Sequence, residues 1–330
     1  MHKAMRSEPG AVERTKELDH EHRKTLRGAL PRTLFLRFLS MAFERLRHGT
    51  EAMLAQPVPR PPEGTVSVTF VGHATVMITT ASTRLLTDPL LERSFYGLRR
   101  AKEAGLHAGD VEDADLVLIS HAHRDHLSPP SLRRVSKDVP IIVPPRCSPP
   151  VARLGFLSIK ELAPGTSFKF ADVEIIAVPV RHSSGQHGAC GYVVRAYDTC
   201  IYFAADTGYF SGFAEIGRRY HVDVALLPIG GYEPAQFREE HLSPLDAIQA
   251  FDDLGARVLV PICHGSFPLS YESLEAPSAW LRRIARDRKL PLGGHGTRPI
   301  EQAPDAEEGR RVAILEHGET IHVRRPKARG

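Results

Sequence analysis

The chain has 330 residues, of which 42% are hydrophobic and 25% are charged, a composition typical of a soluble globular protein with a sizeable α/β core. Its formal net charge of +4 at pH 7 is too small to indicate a nucleic-acid partner without a concentrated basic patch, but it suits an anionic small-molecule or lipid substrate. The sequence has no apolar run of about 18 residues and no apolar signal segment at its N-terminus, so we expect a cytoplasmic protein without a transmembrane helix.

Residues 1–62 are predicted to form an extension ahead of the catalytic domain. The first 30 residues are polar and densely charged, whereas residues 34–54 show the spacing of an amphipathic helix. The apolar side of this helix carries Leu36, Leu39, Phe43 and Leu46. We favour a helix that packs on the catalytic domain; peripheral contact with a membrane surface or a partner is the alternative. The Pro-rich stretch 57–62 then leads into the catalytic domain, residues 63–330.

Strands and helices are mixed throughout residues 63–330. Apolar and alternating runs predict strands from Val66, from Val76, at 84–87, and near 115–120, 140–143, 173–180, 190–195, 200–204, 223–227 and 257–261. Helices are predicted at 131–137, 211–219, 244–254 and 272–288, and a closing hairpin at 312–315 and 321–323 around Gly318. This mixture predicts an α/β fold of two sheets covered by outer helices, an αββα sandwich.

Four potential metal ligands lie within six residues at the end of the apolar run 115–120: His121, His123, Asp125 and His126. Because a strand points successive side chains to opposite faces, the first two histidines can share one face. The Asp-His pair beyond the turn can reach a second point nearby. Imidazole and carboxylate donors suit zinc, with iron or manganese as competitors, and a site without thiolates tends to stay open to water. The segment therefore predicts a metal site that can supply ligands to two ions.

Three further residues of ligand type follow later apolar runs, where buried strands emerge at a rim: His182, Asp206 and His264. Taken alone, each is explained equally well as a loop or core residue.

The cysteines show no C-x-x-C spacing and are predicted to be reduced core residues. They are Cys147, Cys190, Cys200 and Cys263. Cys263 stands beside His264 and is an alternative sulfur ligand, but we favour a packing role for it.

The spacing His-x-His-x-Asp-His resembles the metal motif of the metallo-β-lactamase superfamily. Over about residues 64–290, the chain further resembles the N-acyl-phosphatidylethanolamine phospholipase D branch and its lactonase-like relatives. The segments that carry this resemblance are Phe-Val-Gly-His-Ala-Thr-Val-Met-Ile (70–78), Thr-Asp-Pro (87–89), Phe-Ala-Ala-Asp-Thr-Gly-Tyr (203–209), Leu-Pro-Ile-Gly-Gly-Tyr-Glu-Pro (227–234) and His-Leu-Ser-Pro (241–244). Residues 90–108 lack the Pro-rich, Trp-containing stretch of the phospholipase, and His-Ser-Ser-Gly follows at 182–185 in place of an aromatic-rich turn. These departures concern substrate choice more than the metal site.

The resemblance implies two zinc ions with seven ligands: His121, His123 and His182 on one ion, Asp125, His126 and His264 on the other, and Asp206 bridging. Asp88 is predicted to orient a ligand histidine, because such carboxylate partners fix the tautomer. Asp125 and His241 are predicted to be catalytic. His241 would bind a phosphate oxygen or protonate a leaving group, since imidazole titrates near neutral pH. The role of His73 stays open.

The sequence therefore predicts a dinuclear zinc hydrolase. The most specific form of this prediction is a phospholipase-D-like phosphodiesterase. Two metals about 3.5–4 Å apart can hold a hydroxide between them that attacks the substrate. No Gly-x-Ser-x-Gly elbow or P-loop is present, which argues against a serine hydrolase or an NTPase. The alternatives are a lactonase that uses the same site and a non-catalytic metal-binding module, which would be expected to have lost ligands. A flavodiiron-type oxygen reductase is disfavoured, because residues 291–330 are too few for a flavin domain.

Overall fold

The computed structural model describes residues 50–52, 55, 57–293 and 309–324. In chain order its strands are β1 (Val66–Gly72), β2 (Thr75–Thr79), β3 (Arg84–Thr87), β4 (Ser94–Phe95), β5 (Leu98–Arg99), β6 (Leu116–Leu118), β7 (Ile141–Val143), β8 (Ile159–Glu161), β9 (Ser167–Phe170), β10 (Val173–Val178), β11 (Gly191–Ala196), β12 (Thr199–Phe203), β13 (Val224–Pro228), β14 (Val258–Ile262), β15 (Leu292–Gly293), β16 (Arg311–Ala313) and β17 (Thr320–Val323). The helices are α1 (Ala108–Glu112), α2 (Pro129–Leu132), α3 (Ser148–Ala152), α4 (Gly212–Tyr220), α5 (Pro244–Leu254) and α6 (Ala276–Asp287), with a 3-10 turn at Ala235–Glu239.

Two sheets form the centre of the molecule. The first has the strand order β17-β1-β2-β3-β6-β7-β8 and the second the order β15-β16-β14-β13-β12-β11-β10-β9. Apolar side chains of both sheets, including Val68, Phe70, Phe203 and Leu226, share one buried cluster between them. A second cluster joins the outer face of the second sheet to α4, α5 and α6, and a third joins the first sheet to α2 and α3. The predicted αββα sandwich is confirmed.

The strands predicted between residues 66 and 262 are all present, and so are the longer helices. Helix α5 matches its prediction at both ends, because the Ser243 hydroxyl and the Asp246 carboxylate form a reciprocal capping box and Gly255 ends the helix in the left-handed conformation. The helix predicted at 131–137 is shorter than expected, since only Pro129–Leu132 is helical. Helix α6 begins at Ala276, four residues later than the predicted 272. Strands β8 and β9, with their half-exposed residues, were not predicted.

The predicted closing hairpin is wrong. β16 runs parallel to β14 in the second sheet, whereas β17 pairs antiparallel with β1 in the first sheet. The chain therefore crosses from one sheet to the other around Gly318. Both segments are short apolar runs, and their pattern does not reveal which free strand edge each one joins.

The N-terminal arm and most of the predicted helix at 34–54 lie outside the described residues. Residues 50–52 are described and are not helical: Glu51 forms a parallel bridge with Lys102. The prediction that the helix continues to residue 54 is therefore wrong at this point, while the division into 1–62 and 63–330 stays a prediction. Among the described residues, none of the helices is long and apolar enough to cross a bilayer.

Candidate metal centre

Ligand-type side chains from both sheets meet at one rim of the sandwich. β3 runs parallel to β6, and β12, β13 and β14 run parallel to one another, so within each sheet the carboxyl ends of these strands lie at the same edge. Asp88 follows β3 and His121 follows β6, while Asp206 and Cys263 follow β12 and β14. β10 is antiparallel to β11, which is antiparallel to β12, and His182 therefore emerges at this edge too.

Three imidazoles form the first ligand group: His121, His123 and His182. The Nδ1 atom of His123 lies 3.0 Å from His121 Nε2 and 3.1 Å from His182 Nε2. Two nitrogens bound to one tetrahedral zinc at about 2.05 Å would lie about 3.3 Å apart, and both measured pairs come within a few tenths of an ångström of that spacing. His182 Nδ1 donates to the carbonyl oxygen of Glu240 at 3.3 Å, which leaves Nε2 as the free ligand atom.

The second group contains Asp125, His126 and Asp206. His126 Nε2 lies 3.1 Å from Asp206 Oδ2 and 3.7 Å from Asp125 Oδ2. The rings of His121 and His126 are 4.1 Å apart, so the two groups are neighbours. A carboxylate oxygen of Asp206 also lies within 4.8 Å of a ring nitrogen of His182, so Asp206 lies beside both groups. Six of the seven predicted ligands are brought together.

Asp88 orients His126. The Nδ1–H of His126 donates to Asp88 Oδ2 at 2.7 Å, and the Ser120 amide donates to Asp88 Oδ1 at 2.7 Å. The Ser120 hydroxyl also donates to Oδ2, at 2.5 Å. Because Nδ1 is bound to Asp88, Nε2 is the nitrogen that faces Asp125 and Asp206. The contact predicted for Asp88 with a histidine of the motif is present.

The electrostatics of the two groups differ. Burial opposes the charged form of His126, but Asp206, Asp125 and Asp88 hold its pKa well above the ordinary value. Burial likewise opposes ionisation of Asp125, yet His126 and His73 lower the pKa of this carboxyl to about 2. Burial, together with His126, lowers the pKa of His121 well below the ordinary value. The charge around the second group therefore favours a cation, whereas burial keeps the imidazole of His121 neutral, the form that binds a metal.

His264, the seventh predicted ligand, is not brought into either group. Its ring stacks on Phe70, with centroids 5.4 Å and planes 13° apart. Its buried Nε2 has no hydrogen-bond partner in the described part of the chain. Instead, Cys263 Sγ lies 3.4 Å from Asp206 Oδ1. Adjacent residues at a strand end point to different sides, and the structure turns residue 263, not 264, towards the second group.

Two further histidines contact the site. His241 Nδ1 lies 3.8 Å from Asp206 Oδ2, and its ring is 5.4 Å from that of His182. His73, in the turn between β1 and β2, lies 3.2 Å from Asp125 Oδ2 through its Nε2. The structure thus gives His73 a place against a predicted ligand, which the sequence could not decide.

A cavity of about 490 Å³ opens over the two groups. Its apolar wall comprises Phe95, Tyr96, Phe237, Phe267 and Leu269. These residues come from three segments without a shared periodicity: the β4–β5 hairpin, the 3-10 turn and the loop after β14. The sequence analysis did not find them. Among the described lining residues, Arg124 is the only lysine or arginine. The cavity can therefore take a substrate with an apolar portion beside the reacting bond.

Residues 83–264 match the family described as the beta-lactamase superfamily domain. A metal-dependent hydrolase of Thermus thermophilus is 31% identical over 242 residues, which cover 72% of this chain and 97% of that protein. The N-acyl-phosphatidylethanolamine-hydrolyzing phospholipase D 1 of Caenorhabditis elegans is 29% identical over 235 residues, covering 63% of this chain and 66% of the nematode enzyme.

Solved structures share the fold. The isothiocyanate hydrolase from Delia radicum gut bacteria superposes with a TM-score of 0.62 at 19% identity, covering 77% of this chain and 98% of that one. A metallo hydrolase from Ignicoccus hospitalis superposes with a TM-score of 0.56 at 23% identity, covering 78% and 98%.

Proposed function

Because the chain belongs to the beta-lactamase superfamily and its metal-dependent hydrolases, we propose that it is a dinuclear zinc hydrolase that cleaves phosphodiesters carrying an apolar group. The observation that carries this proposal is the sharing of Asp206 between two adjacent ligand groups, with His126 Nε2 at 3.1 Å on one side and His182 within ligand distance on the other. Imidazole and carboxylate donors fit zinc, and iron or manganese are the competing ions.

Bound zinc ions supply Lewis acidity, lowering the pKa of the attacking water and polarising the substrate oxygen. Side chains of the protein would position the metals and transfer the protons. Asp125, whose Oδ2 lies 3.2 Å from His73 Nε2, would help to hold the second ion, and its carboxylate would accept a proton from the attacking water. His241 lines the cavity beside Asp206, where its ring can donate a proton to the leaving oxygen.

The cavity supports a substrate with a charged centre and an apolar arm. Arg124 lies at the rim of the metal centre and can bind a phosphate oxygen, while the aromatic wall of Phe95, Phe237 and Phe267 can pack against an acyl or alkyl chain. The nematode relative hydrolyses N-acyl-phosphatidylethanolamine, a phosphodiester with long apolar arms, which supports the same class. We propose an anionic small molecule or lipid as substrate, with no nucleic-acid partner. A cytoplasmic location and peripheral membrane contact through residues 34–54 stay predictions.

A lactone or ester is the second candidate. The described lining residues include Asp125, Asp206 and Glu272 but only one side chain of fixed positive charge, Arg124. This balance favours a neutral substrate, since a phosphodiester would rely almost wholly on the metals for charge neutralisation.

Steady-state kinetics with one phosphodiester and one lactone of matched acyl length test the proposal. We expect kcat/KM to be higher for the phosphodiester, and His241→Ala to lower it by about 10²-fold while leaving the zinc content at two. His187→Ala is the matched control, because the His187 ring binds the carbonyl oxygen of Arg146 at 2.7 Å and lies outside the metal groups. A higher kcat/KM for the lactone would favour the second candidate, and absence of bound metal after zinc reconstitution would refute the site.

A further inference from the structure

Cys263 is held at the metal centre by its backbone as well as by its side chain. Its amide donates to the carbonyl of His73 at 2.9 Å. Its own carbonyl packs so closely on Gly230 that a Cβ there would meet it at 2.2 Å. With the backbone fixed on both sides, Sγ lies 3.4 Å from Asp206 Oδ1, and the residue lines the cavity over the metal groups.

Cys263 and His264 both line the cavity, but their charged neighbours differ. The charged neighbours of the thiol include Asp206, Asp125 and Asp88. Those of the His264 ring are Glu316, Arg282 and Lys102, which lie outside both ligand groups. A divalent cation bound between the carboxylates beside Cys263 would stabilise a thiolate at this position.

We propose that the thiolate of Cys263, together with Asp125, His126 and Asp206, holds the second metal ion. This inference rests on the dinuclear site of the proposed function. On binding, the S–H bond breaks, a sulfur–metal bond forms and the proton passes to solvent, with no change of oxidation state. A sulfur donor favours zinc over manganese at this position, because thiolate is a soft ligand.

The remaining cysteines cannot supply this sulfur. Cys190 packs in the cluster between the sheets, and Cys200 packs in the cluster under the outer helices. The Cys147 thiol contacts the carbonyl of Gly188 at 3.6 Å. A thiolate–metal signature therefore reports on Cys263 alone.

Cobalt substitution tests the inference without an activity assay. The full chain is stripped of metal and titrated with Co²⁺, and the near-ultraviolet thiolate-to-cobalt absorption is followed together with metal content. We expect the band to appear with the second equivalent of Co²⁺. Cys263→Ser should abolish the band and lower the affinity for the second ion about tenfold or more. Cys200→Ser and His264→Gln, the matched controls, should keep both the band and the two ions.

A second readout needs no variant. Zinc should protect Cys263 of the unmodified chain from alkylation by iodoacetamide, mapped by mass spectrometry, and a chelator should remove that protection. Two bound ions without a thiolate band or protection would overturn the inference and leave the proposed function standing. Loss of the second ion in His264→Gln but not in Cys263→Ser would overturn it too. A chain that binds no transition metal would refute the proposed function itself.

Discussion

The substitution Asp88→Asn tests how the orientation of His126 affects metal binding, because it removes none of the predicted ligands. Asp88 is completely buried, as is His126, and its two oxygens accept hydrogen bonds from Ser120 N–H, Ser120 O–H and His126 Nδ1–H at 2.7, 2.5 and 2.7 Å. Asp88 adopts a positive φ of 33°, a conformation that asparagine also tolerates. The change therefore removes a charge and one acceptor without straining the backbone.

An amide in place of the carboxylate leaves one hydrogen bond mismatched in either of its two orientations. With its NH₂ group at the Oδ2 position, it faces His126 Nδ1 and favours the tautomer that carries its proton on Nε2, where the metal should bind. With its NH₂ group at the Oδ1 position, it opposes the amide of Ser120. A lost hydrogen bond to a charged acceptor costs about 1.5–3 kcal/mol, which corresponds to roughly 10- to 100-fold in metal affinity.

Titration calorimetry of zinc into the metal-stripped protein measures this affinity. We expect Asp88→Asn to weaken the second ion by that factor. Asp172→Asn is the control, because this carboxylate also accepts several hydrogen bonds, from the hydroxyls of Ser82, Thr83 and Tyr197, but precedes β10 at the opposite rim. Wild-type affinity for both ions in Asp88→Asn would refute the assignment of Asp88 as the residue that fixes the tautomer of His126.

Three further outcomes are expected. Asp206→Asn should lower zinc content from two ions and reduce hydrolysis more than His187→Ala, because Asp206 reaches both ligand groups; equal metal content in the two variants would contradict a bridging role. Phe237→Ala should raise KM for a long-chain substrate up to about tenfold with kcat little changed, because it removes apolar wall, whereas Leu157→Ala, exposed outside the cavity, should not. Burial lowers the pKa of His317 to about 3, so its contribution to stability is lost as pH falls from about 6.5 towards 3. Between pH 7 and pH 5 the free energy of unfolding of the metal-stripped wild type, measured by urea titration, should fall by about 2 kcal/mol more than that of His317→Gln. An equal decrease in the two proteins would show that His317 is not held neutral.

The sequence predicted the fold and most of the site because both depend on local patterns. Apolar runs that end in His or Asp identify buried strands and the rim where they emerge, and six predicted ligands, together with Asp88, lie at that rim. The seventh predicted ligand, His264, lies outside both groups for a local reason. Cys263 and His264 are consecutive donors after β14, and only the conformation of Cys263, with a φ of 56°, determines which side chain faces Asp206. Residue spacing does not encode that choice.

Long-range contacts account for the other failures. β16 and β17 pair with β14 and β1, so their place depends on which strand edges the rest of the chain leaves free. The apolar wall of the cavity has the same origin: Phe95 and Phe267 are far apart in sequence, yet their rings lie 6.1 Å apart. No short window of the sequence contains both residues, and neither one alone indicates a cavity.

The division of ligands between the sheets links metal binding to the stability of the sandwich. His121, Asp125 and His126 follow the first sheet, whereas His182 and Asp206 follow the second. Each candidate ligand group therefore contains residues from both sheets. A metal bound there would add its binding free energy to the free energy of unfolding, because the unfolded chain has no preformed site. The same geometry makes ligand spacing depend on the packing between the sheets, since Phe70 lies in that core and also stacks on the residue next to Cys263. A change in the packing of the inter-sheet core would therefore also change the spacing of the predicted ligands.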